Sequence, residues 1–437
     1  MRAKERDRVP FANWRDRSTP VSMAGRSSGG ARTTLPSAAD HAGASECDRE
    51  ATATRIFGDR EMAYLREVMD SGVLGWAHER DMQVDRFERE FAAFVGAQWG
   101  IARNSAMTGL AMAVAVADAG VGDEVLCDST VHFGAVAAVA MNAIPRFVDI
   151  DPHTWLMDAE SLRANISEQS QAVIVTNFWG QCAALDEIRA ICDEHGLFMI
   201  EDCAHSLLSY WGGRHSGTFG DLGVFSFQQG KQLPTGDGGM MVTDDPALYE
   251  RLYGEWAFSG ESPAYMVLNY RMNEMTAAVG RAQLERVAGY IATYNESLAI
   301  MEQAIDGCAW LQPRLRPERA RVTSYIWSCL WDGDRHGLDY ERFQQVCAEH
   351  GAAVRFGFNQ VPPYQFDFFR VSTIYGDPRC PVRCPLAPGS YDYRDGLCPN
   401  AEYVLPRLIS ANSMREPDSA REWAERVHAA IEAMERG

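Results

Sequence analysis

The chain of 437 residues reads as an α/β protein, a large domain on a mostly parallel central sheet followed by a smaller α+β domain. Three observations predict this. Short apolar runs, among them Leu197 to Ile200, Val224 to Phe227 and Met240 to Val242, are bounded by polar or glycine-rich turns, as strands buried on both faces are. Longer stretches between such runs carry apolar residues at helical spacing, and strands alternating with helices argue for right-handed βαβ units. From about Tyr290 the alternation changes character, and the length suffices for two or three domains. The chain is therefore divided into a disordered tail over 1–52, a large domain over 53–289 and a small domain over 290–437.

Residues 1 to about 52 are rich in Arg, Ser, Ala, Gly and Thr and lack either periodicity; the first 37 hold Lys4 and seven arginines against Glu5, Asp7 and Asp16. No apolar core follows this basic start, which argues against a secretory signal. The stretch is expected to be disordered, or an over-long start with Met23 as initiator. Arg60 to Met69 follows as a helix, Gly72 to Trp76 as a turn, and Val84, Phe87, Phe91 and Val95 form a helical stripe. Ser105 to Ala117 is an alanine-rich helix, and a helix start offers free N–H groups and a dipole to an anion. Glu124 to Cys127, Arg146 to Ile150 and Gln171 to Thr176 are short strands. Ala183 to His195 is a crossover helix with Leu185, Ile188, Ile191 and Cys192 on one face. Helices over Asn273 to Val287 and Asp418 to Met434, with a long loop from Pro362 to Pro399, complete the outline.

The bulk numbers exclude more than they identify. Hydrophobic residues at 46% and charged ones at 23% suit a soluble globular enzyme. A net charge of −19 and a pI near 5.0 argue against nucleic acid as partner, because phosphate contacts need clustered Lys and Arg. No apolar run approaches the length of a membrane span. Eleven cysteines without a signal sequence do not make a disulfide framework, and Cys203 and Cys329 in apolar runs suit a reducing cytoplasm. Cys380, Cys384 and Cys398 lack the spacing of a zinc ribbon, so no metal is expected.

The stretch from Leu197 to Thr243 carries the chemistry. Its first run ends in Glu201 and Asp202, its second leads through a polar turn to a lone Lys231, and Gly236, Gly238 and Gly239 precede the third. Reactive groups collect at the carboxyl ends of such strands, so an acid and an amine are presented side by side in a dry setting. That pairing suits pyridoxal phosphate (PLP): the lysine takes the aldehyde as a Schiff base, and the carboxylate keeps the pyridine nitrogen protonated so that the ring accepts electrons. Taken alone, Lys231 would be a solvated loop lysine. Asp202, Ser226 and the glycine turn beside it make it the candidate to hold the aldehyde.

The stretch EDCAHS…GTFGDLGVFSFQQGK…TGDGGMMVT and the later NYRMNEMTAAVGRAQLERV, Asn269 to Val287, closely resemble the DegT/DnrJ/StrS family of PLP-dependent sugar and cyclitol aminotransferases. The likeness runs from about Phe57 to near the C-terminus. It implies the aspartate-aminotransferase-like architecture, fold type I, and a set of site residues. Asp202 would pair with the pyridine nitrogen, His205 would lie near the phenolic oxygen, Ser226 would contact the phosphate and Lys231 would hold the cofactor. Where the family has Ser-Gly-Thr at a helix start that binds the phosphate, this chain has Ser105-Ala106-Met107, which keeps the backbone amides and loses the threonine hydroxyl. The family's aromatic ring over the cofactor falls on His132, with Phe133 as the alternative. Gly230 stands where Ser is usual, and Asp237 where Glu is more common. Asn269 would reach the phosphate of a neighbouring subunit in a homodimer with shared sites, unless it caps the helix that follows. Trp76, Tyr270 and Arg271 fall on the substrate side, Trp76 with packing at the domain edge as its alternative.

The resemblance implies ping-pong transfer, with Lys231 moving the proton as general base and acid. Asn142-Ala143-Ile144-Pro145 and Cys398-Pro399-Asn400-Ala401-Glu402 resemble most the glutamine-dependent cyclitol branch. The expected reaction moves an amino group from glutamine or glutamate to a ketone of a cyclitol or sugar in aminoglycoside-like natural-product assembly. A nucleotide-sugar aminotransferase is the alternative, followed by a PLP- or PMP-dependent dehydratase and a regulatory protein that binds PLP without turnover. Relatives that became dehydratases carry His in place of the lysine, and Lys231 argues against that outcome.

Overall fold

A computed structural model describes residues 57–75, 81–255, 268–370, 381–382, 391–413 and 416–436. The expected tail, Trp76, Cys380 and Cys384 lie outside them. Nine strands come first: β1 (Trp99–Arg103), β2 (Glu124–Asp128), β3 (Ile144–Val148), β4 (Ser170–Thr176), β5 (Phe198–Asp202), β6 (Tyr210–Trp211), β7 (Arg214–His215), β8 (Leu222–Ser226) and β9 (Gly239–Thr243). Seven of them form one sheet in the order β1-β9-β8-β5-β4-β2-β3. The pairings from β8 through β5, β4 and β2 to β3 are all parallel. The sheet is thus mostly parallel, as its apolar runs predict. β9 is the exception and runs antiparallel to both β8 and β1. The turn over 227–238 between β8 and β9 holds no helix, and the chain comes back as a hairpin.

Several elements differ from the sequence expectation. The third strand covers Ile144–Val148 rather than Arg146 to Ile150, and Ile150 makes only an isolated bridge to Met157. Pro145 is tolerated because β3 is an edge strand. A helix at Phe133–Ala140 was not expected: Gly134, Ala135, Ala137, Ala138 and Val139 are all buried, so it has no polar face to reveal its period. The helix expected over Asn273 to Val287 is the Glu274–Gln303 helix, and it runs unbroken through Tyr290. Its cap is Asn273, whose side chain accepts the Thr276 N–H at 2.8 Å.

A second sheet is antiparallel, in the order β10-β12-β14-β13, from β10 (Leu311–Pro313), β12 (Ile326–Trp331), β13 (Arg355–Phe356) and β14 (Leu408–Asn412). The Tyr340–Glu349 and Pro417–Arg436 helices and the last turns of Glu274–Gln303 contribute to its core. Trp327 and Trp423 meet there edge to face at 4.8 Å, and truncating either ring should cost about 3–5 kcal/mol. Between β10 and β12, β11 (Ala320–Arg321) leaves this sheet and pairs with β6. That pairing carries the following residues, Thr323 to Tyr325, to the side of the first sheet. No helix among the described residues is long and apolar enough to cross a membrane.

Candidate active site

The parallel strands end together at their carboxyl termini, where Asp202 closes β5 and Ser226 closes β8. A cavity of about 370 Å³ opens there. Asp202, Ser226 and Lys231 line it together with Ser105, Ala106 and Met107 at a helix start. Phe133, Gln228, Asp237 and Gly238 also line it.

The hairpin turn fixes Lys231. Phe227 N–H donates to Gly238 O at 2.9 Å, Gln229 N–H to Gly236 O at 2.8 Å, and Lys231 N–H to Gln228 O at 2.8 Å. Gly236 turns the chain at φ +94°, a conformation that costs glycine little. The Lys231 amine donates to the Tyr325 hydroxyl at 3.1 Å and lies 5.1 Å from that ring's centre. Asp202 is buried and accepts the Ala204 N–H at 3.0 Å. Burial pushes its carboxyl up to about 6; the Ala204 N–H and the charge of Lys231 oppose the rise, and the charge of Asp128 adds to it.

The helix start has been built carefully. Ser105 caps the Ala106–Val116 helix by accepting the Thr108 N–H at 3.2 Å, and the first N–H groups of a helix have no partner within it. Met107 occupies the place where the resemblance has threonine, but a threonine hydroxyl follows one residue later. Thr108 donates to the Asn104 side chain at 2.7 Å and to Ser105 O at 2.9 Å, bracing the turn from outside the cavity wall. Gly239, at the start of β9, passes so close that a Cβ there would lie 2.6 Å from Ala106 N and from Ser105 C. The strand and the helix start are therefore held at a separation that only glycine permits.

Other expected residues lie around this cavity rather than on its wall. Phe133 lines it and His132 does not: His132 sits between Phe133 and Phe366, with ring centres 4.4 and 6.1 Å away, and its Nδ1 is buried without a partner. Burial lowers its pKa. His205 is buried and stacked on Tyr325, rings 4.4 Å apart and 19° from parallel. Its Nδ1 also lacks a partner, and burial, helped by the charge of Lys231, keeps the ring neutral well below the usual histidine range. Asn269 is exposed, and its carbonyl accepts from the Asn104 side chain at 3.1 Å, while Asn104 N–H donates to Tyr270 O at 2.9 Å. Arg271 bridges Arg103. The segment 269–271 thus lies along the residues that lead into Ser105. Since Asn273 is the helix cap, capping does not account for Asn269.

Sequence reasoning passed over three features. Tyr325 carries no local signal, because its role depends on β11 crossing between sheets. Glu201 was seen only as an acid. It is fully buried and accepts the N–H groups of Gly217, Phe219 and Gly220 at 2.8, 2.7 and 2.8 Å, and an amide N–H of Asn177 at 3.2 Å. The third is compositional: of 41 lysines and arginines, Lys4 and Lys231 are the two lysines. A guanidinium stays protonated and does not add to an aldehyde, whereas an amine can. A chain that uses arginine almost everywhere keeps a lysine at this turn.

Comparison with known proteins agrees with this geometry. Residues 56–384 match the model of the DegT/DnrJ/EryC1/StrS aminotransferase family. The GDP-perosamine synthase of Vibrio cholerae is 31% identical over 253 residues, which is 56% of this chain and 68% of that protein. A Streptomyces kanamyceticus protein, provisionally named L-glutamine:3-amino-2,3-dideoxy-scyllo-inosose aminotransferase, is 32% identical over 237 residues, 52% of this chain and 57% of that one. Among solved structures, 3-amino-5-hydroxybenzoic acid synthase superposes with a TM-score of 0.75 at 24% identity, covering 87% of this chain and 98% of that chain. That likeness shows the fold.

Proposed function

The chain belongs to the DegT/DnrJ/EryC1/StrS family of PLP-dependent aminotransferases, and on that premise we propose that it moves an amino group from glutamine or glutamate to a ketone of a cyclitol or sugar. The observation that carries this reading is the shared cavity of Lys231 and Asp202, one amine and one buried acid, beside a helix start. The residues present fit PLP. A buried carboxyl titrating near 6 gains a partner when a cationic ring nitrogen comes beside it. The free amides of the Ser105-Ala106-Met107 turn, with the Ser226 hydroxyl, suit a phosphate. The buried, unpartnered Nδ1 of His205 is available to a polar group that enters, and Phe133 offers an apolar ring.

PLP, when bound, supplies an aldehyde for an amine to attack and a ring that takes up the electrons of a broken C–H bond. Lys231 would hold that aldehyde and, with an amino donor in its place, would carry the proton between the reacting carbons as base and then acid. Asp202, as the anion, would hold the proton on the ring nitrogen. Phe133 and the apolar side of Met107 keep water from one flank, so that both charges act in a poor dielectric.

A keto-cyclitol in natural-product assembly is the acceptor we favour, supported by the Cys398 to Glu402 sequence and by the relative whose name pairs L-glutamine with a scyllo-inosose. The relatives named for GDP-perosamine favour the second reading, a nucleotide-linked keto-sugar. We place the enzyme in the cytoplasm as a homodimer in which Asn269 serves the neighbour's phosphate site; the free cysteines among the described residues suit a reducing compartment. Incubating the protein with glutamine or glutamate and a panel of keto-cyclitols and nucleotide keto-sugars tests the acceptor. Turnover confined to nucleotide-linked ketones would reverse the preference. For the shared site, mixing Asn269→Ala with Lys231→Ala subunits should restore activity that neither has alone, and no rescue would remove the cross-subunit role.

A further inference from the structure

We propose that Tyr325 is a positioning residue for Lys231, holding the amine toward the cavity as it loses and regains its proton. The inference rests on the reading of Lys231 given above and adds a residue to it. Tyr325 stands just ahead of β12, 94 residues beyond the lysine. Its hydroxyl accepts from the Lys231 amine at 3.1 Å. A phenol is both acceptor and donor. Toward an ammonium it accepts one N–H; toward the neutral amine it turns its own proton onto the nitrogen lone pair. In both states the amine keeps one fixed neighbour and no proton leaves the pair. A free lysine side chain has four rotatable bonds to lose, and this contact selects among their rotamers before any cofactor arrives.

The tyrosine is itself held from several directions, its own carbonyl accepting the Ser413 N–H at 3.4 Å. Its ring lies flat on His205. Thr323 N–H donates to Gly180 O at 2.9 Å, and Ser324 N–H donates to the Asn295 side chain at 2.6 Å. The Gln232 side-chain amide, on the residue next to the lysine, donates to His205 O at 3.0 Å and to Ser324 O at 3.5 Å. Gln232 thus ties the lysine's turn to the backbone of both rings. Fixing a loop residue from so many directions is what a contact with a reacting atom requires, since a misplacement of 1 Å can cost two orders of magnitude in rate. It also explains how the second sheet takes part in chemistry assembled on the first.

Tyr325→Phe tests this, because it keeps the ring and its stack on His205 while removing the hydroxyl. Stopped capture of PLP by the cofactor-free protein, fixed with borohydride and read by mass on the Lys231 peptide, should slow roughly tenfold. In transamination kcat should fall by a similar factor with the donor KM little changed. Binding of pyridoxamine phosphate, which has no aldehyde, and the thermal unfolding midpoint should stay native. Gln232→Leu, which cuts the tether and leaves the hydroxyl, should slow capture by a smaller factor. Native capture and kcat in Tyr325→Phe would overturn the proposal, and so would slow capture accompanied by lost pyridoxamine phosphate affinity and a lowered midpoint, which is what a merely structural residue gives. Failure of the functional reading would show in the native chain instead, as no adduct on Lys231, and would overturn both.

Discussion

Glu201 and Asp202 are neighbours at the end of β5, both buried, both pushed above the ordinary carboxylate range by that burial. Their surroundings differ. Successive side chains of a strand point to opposite faces, so Glu201 looks into the turn at 217–220 and collects three backbone N–H groups and an amide. Asp202 looks into the cavity and has one backbone N–H and the charge of Lys231. A buried acid with its acceptor capacity filled is part of the fold. One left partly unfilled, at the edge of a cavity and beside an amine, is prepared for a ligand. Two carboxylates one residue apart thus differ in their partners and in access to the cavity, a difference that composition and spacing do not show.

Activity should distinguish the two acids most. Asp202→Asn should lower transamination about a thousandfold, since a neutral amide does not hold the ring proton, while Glu201→Gln in a folded protein should lower it far less. Equal losses would erase the distinction. On stability the order reverses. Glu201→Ala leaves three backbone donors buried without an acceptor and should cost about 3 kcal/mol or more in chemical unfolding; a cost below about 1 kcal/mol would mean that water replaces the carboxylate. Asp202 adds a pH signature. Its carboxyl titrates near 6 when folded against 3.8 in a free chain, so the folded cofactor-free protein holds this proton more tightly. Its stability is therefore lost as pH rises from about 4 to about 6, and the deficit stays constant above that. Asp202→Asn removes the deficit: the variant should match the native protein near pH 4 and exceed it at pH 7 by up to about 3 kcal/mol. A smaller effect is expected at the helix start, where Gly239→Ala should cost about 1–3 kcal/mol and weaken phosphate retention by pushing β9 from Ser105 and Ala106.

The fold and much of the site were legible in local sequence. Buried parallel strands leave apolar runs, and the residues that end them, Asp202 and Ser226, come out where those runs stop. Lys231 was marked by its glycine turn, with Asp202 and Ser226 beside it; the scarcity of lysine in a chain that otherwise chooses arginine was a further signal, and it was passed over. What was not legible depends on contacts between distant segments. The Phe133–Ala140 helix shows no period because it has no wet face. The resemblance put the ring position on His132 with Phe133 as the alternative, and it is Phe133 that the helix start turns to the cavity, with His132 packed beside it. Tyr325 reaches Lys231 through contacts between distant segments, among them the short pairing of β11 with β6, which no local pattern announces.

The direct measurement is a mass map of the native protein after incubation with PLP and borohydride. With two lysines in the chain there is little to confuse it. One phosphopyridoxyl mark is expected, on the peptide that contains Lys231, sharply reduced in Asp202→Asn. A mark on Lys4 or the chain's amino terminus, or an unmarked Lys231, would contradict that expectation.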